Sequence, residues 1–313
     1  MNIIFLGSSS FSIPVLEALV NSKHRVVHVV TTPDRKKGRG QKMAPTEVKY
    51  LALEKGLACS SPEKLRDESL VETLKTSAPD FLVVASYGKM VPNAMIALPK
   101  LAPLNVHPSL LPKYRGASPI QSAILSGDRK TGVSIAEVTS ELDAGDLFGQ
   151  VTTEIGENEN TEALSARLAV LGGKLLLEII EQFGRGNVRR TAQDSALATM
   201  THKIHKDTGK IDWNKPAGEI HNLVRASFPW PAAFTFFHGK RLKILSTFLG
   251  DTSAAATKPG TVLDLSKEGA IIVATRSGPL RLRQVQLEGR KEINAAEFAR
   301  GERIRRGDCF ETL

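Results

Sequence analysis

Cysteine is nearly absent from this 313-residue chain: Cys59 and Cys309 stand far apart, with no second sulfur near either. That excludes a disulfide framework and a thiolate-bound metal, and it makes a reducing cytoplasm the expected compartment. Long apolar runs are missing as well. None reaches the roughly 18 residues that a bilayer-crossing helix needs, so no membrane partner is expected. The opening "MNIIFLGSSS" lacks the basic start of a secretory signal and reads as a buried strand that begins at once. Neither G-x-G-x-x-G nor a Walker pattern occurs, which argues against nicotinamide or ATP chemistry. His202 and His205 in "HKIH" have a spacing usable by a metal but no third ligand, so they read as solvated and no metal is expected. Internal repeats and low-complexity segments are absent too.

Positive charge is in excess. There are 42 Lys and Arg against 33 Asp and Glu, a net charge of +9. Residues 191–313 hold 19 basic and 13 acidic side chains, net +6; residues 1–190 hold 23 and 20, net +3. Within the first part, "DRKKGRGQKM", 34–43, carries five basic residues and one acid. Arg35, Lys36, Lys37, Arg39 and Lys42 therefore share a glycine-punctuated loop, expected to reach out and order on contact. A basic loop with a basic C-terminal third fits a polyanion such as nucleic acid. Plain solubility fits as well, and charge alone does not choose.

The first 190 residues alternate apolar runs with helical patterns. "NIIFLG", "RVVHVVTT", "DFLVVASYG", "LAPLNVHPS" and "TGVSIAEV" read as buried strands. "SIPVLEALVNS", "APTEVKYLALEKG", "SPIQSAILSGD" and "TEALSARLAVLGGKLLLEIIEQF" read as helices. Strands separated by helices predict an α/β fold whose mostly parallel sheet is covered on both faces. Around residue 190 the texture turns polar and aperiodic, as a linker would. Beyond it, "RLKILSTFL", "GTVLDL", "GAIIVATRSG" and "PLRLRQVQL" predict a small β-barrel or sandwich.

One dozen residues concentrate chemistry: "NVHPSLLPKYRG", 105–116. His107 precedes proline and is pushed towards an extended backbone. In an extended segment Asn105 and His107 share one face while Val106 takes the other. An amide and an imidazole meeting a cleft can stabilise an oxyanion and share a proton. A core histidine beside a turn asparagine would carry the same letters. In "SELDAGDLFGQ", Asp143 and Asp146 flank a small Ala-Gly pair directly after a strand, either a surface turn or a carboxylate brought to that cleft. "SYGKMVP", 86–92, also follows a strand and is a candidate for lining the same pocket.

Four ordered blocks resemble the methionyl-tRNA formyltransferases over nearly the whole chain. "NVHPSLLPKYRGASPIQSAI" is similar to that family's N-x-H…SLLP…RGA-PIQ block, and "SELDAGDLF" to its L-D-x-G-D block. "TTPDRKKGRGQKMAPTEVK" resembles its basic insertion loop, and "IDWNKPAGEIHNLVRASFPWPAAF" the segment that opens its C-terminal domain. The resemblance implies a Rossmann-like catalytic domain over 1–189, a linker over 190–207, and an OB-like, tRNA-binding β-barrel over 208–313. It implies formyl transfer from 10-formyltetrahydrofolate to the α-amine of charged initiator tRNA. It assigns Asn105, His107 and Asp143 to catalysis, and Ser109, Leu110, Leu111 and Pro112 to the folate. Arg39 matches the tRNA-contacting arginine, with Arg35, Lys36, Lys37 and Lys42 around it. A monomer is expected, because no coiled-coil or other dimer signature stands out.

Overall fold

The continuous apolar runs become the inner strands of a parallel sheet. In the computed structural model, which describes residues 1–37, 42–250, 257–265 and 270–311, the chain divides into two compact units. The first comprises Met1–Pro119, Lys130–Glu154 and Ser165–His202; the second comprises Ile120–Arg129, Ile155–Leu164 and Lys203–Leu313. The chain opens with β1 (Asn2–Gly7), α1 (Ser12–Val20) and β2 (Arg25–Val30). Then come β3 (Arg35–Lys37), β4 (Lys42–Ala44), α2 (Glu47–Glu54), β5 (Cys59–Ser60) and α3 (Glu68–Thr76). β6 (Phe81–Ala85), α4 (Asn93–Ile96), β7 (Ala102–His107) and β8 (Arg115–Gly116) follow. After α5 (Pro119–Leu125) come β9 (Lys130–Glu137), β10 (Leu147–Glu154), α6 (Thr161–Gly184) and β11 (Met200–Thr201).

The main sheet runs β10-β9-β7-β6-β1-β2-β5. From β5 to β7 every pairing is parallel. β9 is antiparallel to β7 and β10 to β9. Ile3, Ile4, Phe5 and Leu6 of the central β1 are fully buried, and a strand covered on both faces has no polar side to alternate with. At the antiparallel edge β10 alternates buried or half-buried residues with exposed ones, which hid it in the sequence as a mixed stretch. Helix α6 packs closely on β7 and β9: a Cβ on Gly172 would lie 2.7 Å from Val106 Cγ1 and 3.2 Å from Val133 Cγ1.

The basic segment differs from expectation. β3 and β4 form an antiparallel hairpin with Arg35 opposite Ala44 and Lys36 opposite Met43. Backbone pairing there leaves no hydrophobic signature, so charge and glycine suggested a loop. Residues 38–41, Arg39 among them, lie outside the described residues.

The second unit adds α7 (Ala217–Ser227), β12 (Ala233–Phe237), β13 (Lys240–Leu249) and β14 (Val262–Leu265). It ends with β15 (Ile271–Ala274), β16 (Pro279–Leu287), β17 (Ile293–Asn294) and α8 (Ala295–Gly301). Its antiparallel sheet runs β12-β13-β16-β15-β14, with β17 on β16. Among the described residues β12 and β14 do not pair with each other. Single bridges join Phe236 to Glu311 and Thr261 to Cys309. Its core combines Trp213, Phe237, Phe298 and Phe310 with aliphatic side chains such as Ile244, Val273 and Leu282. No helix among the described residues is long and apolar enough to cross a membrane.

His221 on α7 is buried, with Nε2 3.0 Å from the Glu157 carbonyl oxygen and Nδ1 2.9 Å from Thr247 Oγ1. A carbonyl only accepts, so Nε2 carries the hydrogen and the neutral ring is satisfied on both sides. Burial lowers its pKa below the ordinary 6.5. Desolvation also lowers those of His24 and His28. The unfolded chain therefore binds more protons once the pH drops below 6.5, and stability falls as pH falls through that window. Thermal melts between pH 7.5 and 5 are expected to show a declining Tm, with a shallower slope in His221→Gln. An equal slope in that variant would remove His221 as a cause.

Candidate active site

β7 presents the site by alternation. Val106 is 1% exposed and faces the core beneath α6, and its neighbours Asn105 and His107 point the other way. The third residue arrives from the β9–β10 connection, which folds back so that Asp143 meets both. Asn105 Nδ2 donates to Asp143 Oδ1 at 3.0 Å. The backbone N–H of Gly116 donates to Asp143 Oδ2 at 2.8 Å. The structure thus brings Asn105, His107 and Asp143 together. Asp146, its partner in the sequence pattern, serves the backbone: its carbonyl accepts from Glu137 N at 2.8 Å.

His107 is oriented by a main-chain oxygen and not by Asp143. Its Nδ1 lies 3.7 Å from Asp143 Oδ2, too long for a hydrogen bond. Its Nε2 lies 3.0 Å from the Tyr114 carbonyl oxygen. Since that oxygen only accepts, Nε2 holds the hydrogen, and in the neutral ring Nδ1 is left with a lone pair. Asn105 Nδ2 has two hydrogens and Asp143 uses one, so a second donor is available. The constellation therefore offers an N–H donor, an imidazole nitrogen able to take a proton, and a carboxylate close enough to balance the charge formed.

Asp143 sits at φ +52°. A left-handed backbone costs a non-glycine residue about 1–2 kcal/mol. Two hydrogen bonds to a carboxylate contribute about 1.5–3 kcal/mol each, so the contacts outweigh the strain. Gly145 completes the turn: a Cβ there would run into the carbonyl oxygen of Glu137.

The turn after His107 is held from below. Ser134 of β9, fully buried, donates its hydroxyl to Ser109 O at 2.6 Å and accepts from Leu111 N at 3.0 Å and Gln150 Nε2 at 2.8 Å. Gln150 Nε2 also reaches Leu111 O at 2.8 Å. Ser109 and Leu111 are buried, with the Ser109 hydroxyl donating to Lys113 O at 2.7 Å. Leu110 and Pro112 are half-buried, so any side-chain contact with a ligand falls to them. In the 86–92 segment, Tyr87 packs inward among Ile4, Leu6, Leu82 and Met95, and burial pushes its hydroxyl pKa up to about 12. That leaves Ser86, Gly88 and the exposed Met90 as the accessible part.

Sequence reasoning missed Gly116, Ser134 and Gln150. Only Ser134 left a signal, a lone hydroxyl in the otherwise apolar strand "GVSIA". Among the described residues no three His, Cys, Asp or Glu side chains converge as a metal site.

A family profile described as formyl transferase matches residues 1–180. Another, described as formyl transferase, C-terminal domain, matches residues 203–303. The methionyl-tRNA formyltransferase of Thermodesulfovibrio yellowstonii is 39% identical over 309 residues, covering 98% of each chain. That of Chloroflexus aggregans is 42% identical over 301 residues, covering 96% of this chain and 97% of the relative. Among solved structures, HypX from Aquifex aeolicus in complex with tetrahydrofolic acid matches with a TM-score of 0.63 at 20% identity, over 95% of this chain and 46% of that one. At that identity the likeness concerns the fold alone.

Ser134→Ala is expected to lower the unfolding free energy by about 2–4 kcal/mol, since it strands the Leu111 N–H and one Gln150 bond in the interior. Urea titration measures it. A decrease below about 1 kcal/mol would mean that the turn holds without Ser134.

Proposed function

The chain belongs to the methionyl-tRNA formyltransferase family, and on that premise we propose that it formylates charged initiator tRNA with 10-formyltetrahydrofolate as donor. The enzyme transfers a formyl group onto the α-amine of methionine, in support of translation initiation. The observation that carries the assignment of residues is the convergence of Asn105, hydrogen-bonded to Asp143 Oδ1 at 3.0 Å, and His107, whose Nδ1 lies 3.7 Å from Asp143 Oδ2.

An α-amino group titrates near 7.7, so a useful fraction is neutral and nucleophilic at about pH 7. Its nitrogen attacks the formyl carbon, and the carbonyl oxygen becomes an oxyanion. The second N–H of Asn105 donates to that oxygen, an interaction of the kind worth about 10²–10³ in rate. His107 takes the amine proton at Nδ1, and Asp143 balances the imidazolium. The carbon–nitrogen bond to the folate then breaks, and the same proton passes to the folate nitrogen that leaves. One proton given up by the amine and one taken by the folate balance the step. Leu110, Pro112 and the backbone of the 109–112 turn suit a flat, largely apolar folate body.

Arg35, Lys36, Lys37, Arg39 and Lys42 are proposed to contact tRNA phosphates. The proposed domain limits are 1–189, 190–207 and 208–313. For the C-terminal part an OB-like barrel is proposed, closed through residues 309–311. The bridges Phe236–Glu311 and Thr261–Cys309 support it, because they join one short segment to β12 and to the residue directly before β14. The protein is read as a cytoplasmic monomer.

Asn105→Ala, His107→Ala and Asp143→Ala are each expected to lower kcat by at least about 10² in formyl transfer to methionyl-tRNA. Near-normal turnover in all three would overturn the mechanism. Replacing Arg35, Lys36 and Lys42 together with Ala is expected to raise KM for tRNA and leave kcat unchanged. It is also expected to flatten the salt dependence by about 0.7–0.9 log units for each phosphate that is no longer neutralised. An unchanged salt slope would count against the hairpin.

A further inference from the structure

Residues 191–201 follow α6 as an aperiodic polar stretch, yet they lie against both halves of the site. Thr191 exchanges two backbone hydrogen bonds with Leu147, at 2.8 and 2.9 Å. Thr199 N donates to Pro112 O at 3.2 Å and Thr199 O accepts from Arg115 N at 2.9 Å. Met200 and Thr201 pair with Arg115 and Gly116. Between these anchors stands Gln193.

We infer that Gln193 is a positioning residue, a brace that locks the Asp143 loop to the 105–116 segment in the geometry catalysis requires. Its two ends do different things. Oε1 accepts from Arg115 Nε at 3.1 Å and Arg115 Nη2 at 2.9 Å. Nε2 donates to the carbonyl oxygens of Asp143 at 2.9 Å and Gly145 at 2.6 Å. Every polar position of the amide is thereby used. Arg115 is 5% exposed, and its ion-pair partner among the described residues is Glu141, at 3.8 Å. A guanidinium this buried is held where it is only if its donors are matched. That makes it a firm anchor, and the amide carries the anchor across to the loop. The loop needs restraint, because Asp143 is a non-glycine residue at φ +52°, a conformation that persists only where its surroundings over-determine it. Gly116, whose N–H holds Asp143 Oδ2 at 2.8 Å, directly follows Arg115. Besides the bond from Asn105, Asp143 thus receives one hydrogen bond at its carboxylate from Gly116 and one at its carbonyl from Gln193, the two sides of one clamp.

The inference rests on the reading of Asp143 as part of the catalytic trio, and two variants separate the brace from a role in merely satisfying Arg115. Gln193→Glu keeps, and strengthens, the bond to Arg115, but turns an oxygen towards the carbonyls of Asp143 and Gly145. Gln193→Ala removes both ends. Both variants are expected to lose about 10–100-fold in kcat for formyl transfer, with KM for folate and for methionyl-tRNA within about threefold, as misplacement of a reacting group by a fraction of an ångström does. Both are also expected to exchange backbone amide hydrogens faster over residues 141–146, read by mass spectrometry on the full-length folded protein. Wild-type kcat in Gln193→Glu, with the defect confined to Gln193→Ala, would overturn the brace and leave Gln193 as a partner of Arg115 alone. Unchanged exchange over 141–146 in both variants would overturn it as well. Failure of the activity reading is a separate outcome: the unaltered chain would transfer no formyl group, and the exchange comparison by itself would support or overturn the brace.

Discussion

A buried carboxylate is a demand on its surroundings. Asp143, with its side chain 10% exposed, must find hydrogen bonds in the protein, and it finds them on two segments that the chain brings from elsewhere. Asn105 supplies one donor from the end of β7 and Gly116 another from beyond the 109–112 turn. Three loops or strand ends are thereby fixed by one charged group. The orientation of the Asn105 amide follows from the same demand: a carboxylate accepts, so Nδ2 rather than Oδ1 must face it, and the remaining N–H is left in a defined direction.

What lies beneath makes that demand answerable. β7 is pinned between β6 and β9 by backbone ladders, and Val106 is pressed against α6 by a glycine that leaves no room for play. Ser134, one strand over, ties down the turn from which Tyr114 presents its carbonyl to His107. The imidazole is aimed by a main-chain oxygen, so its tautomer is set by the fold and not by the charge of a neighbour. The second unit is organised differently, around an antiparallel sheet whose core mixes aliphatic side chains with Trp213, Phe237, Phe298 and Phe310.

The parallel sheet was legible because strands covered on both faces are mostly apolar: β1 and β6 are apolar for nearly their whole length, and β2 and β7 remain so around His28 and around Asn105 and His107. β10 and the β3–β4 hairpin were not, because an edge strand and a two-stranded ribbon bury little and hold together through backbone atoms that every residue shares. The types of the candidate site residues were legible from "NVHP" and "LDAGD", and a family resemblance joined the two. Ser134, Gln150 and Gln193 were hidden for a physical reason: a polar side chain that satisfies main-chain groups has no partner recognisable in the sequence, since any carbonyl or N–H will serve.

By itself, then, the order of residues determined which strands would be buried, that Asn105 and His107 would share one face, and that the excess of positive charge would gather in one short segment and in the C-terminal third. Only the tertiary structure decided which carboxylate reaches that face, which nitrogen of His107 is left free, and what holds the Asp143 loop. Periodicity and local sterics act over a few residues and are written in the chain directly. Hydrogen bonds between side chains and distant backbone depend on where the whole fold delivers its segments.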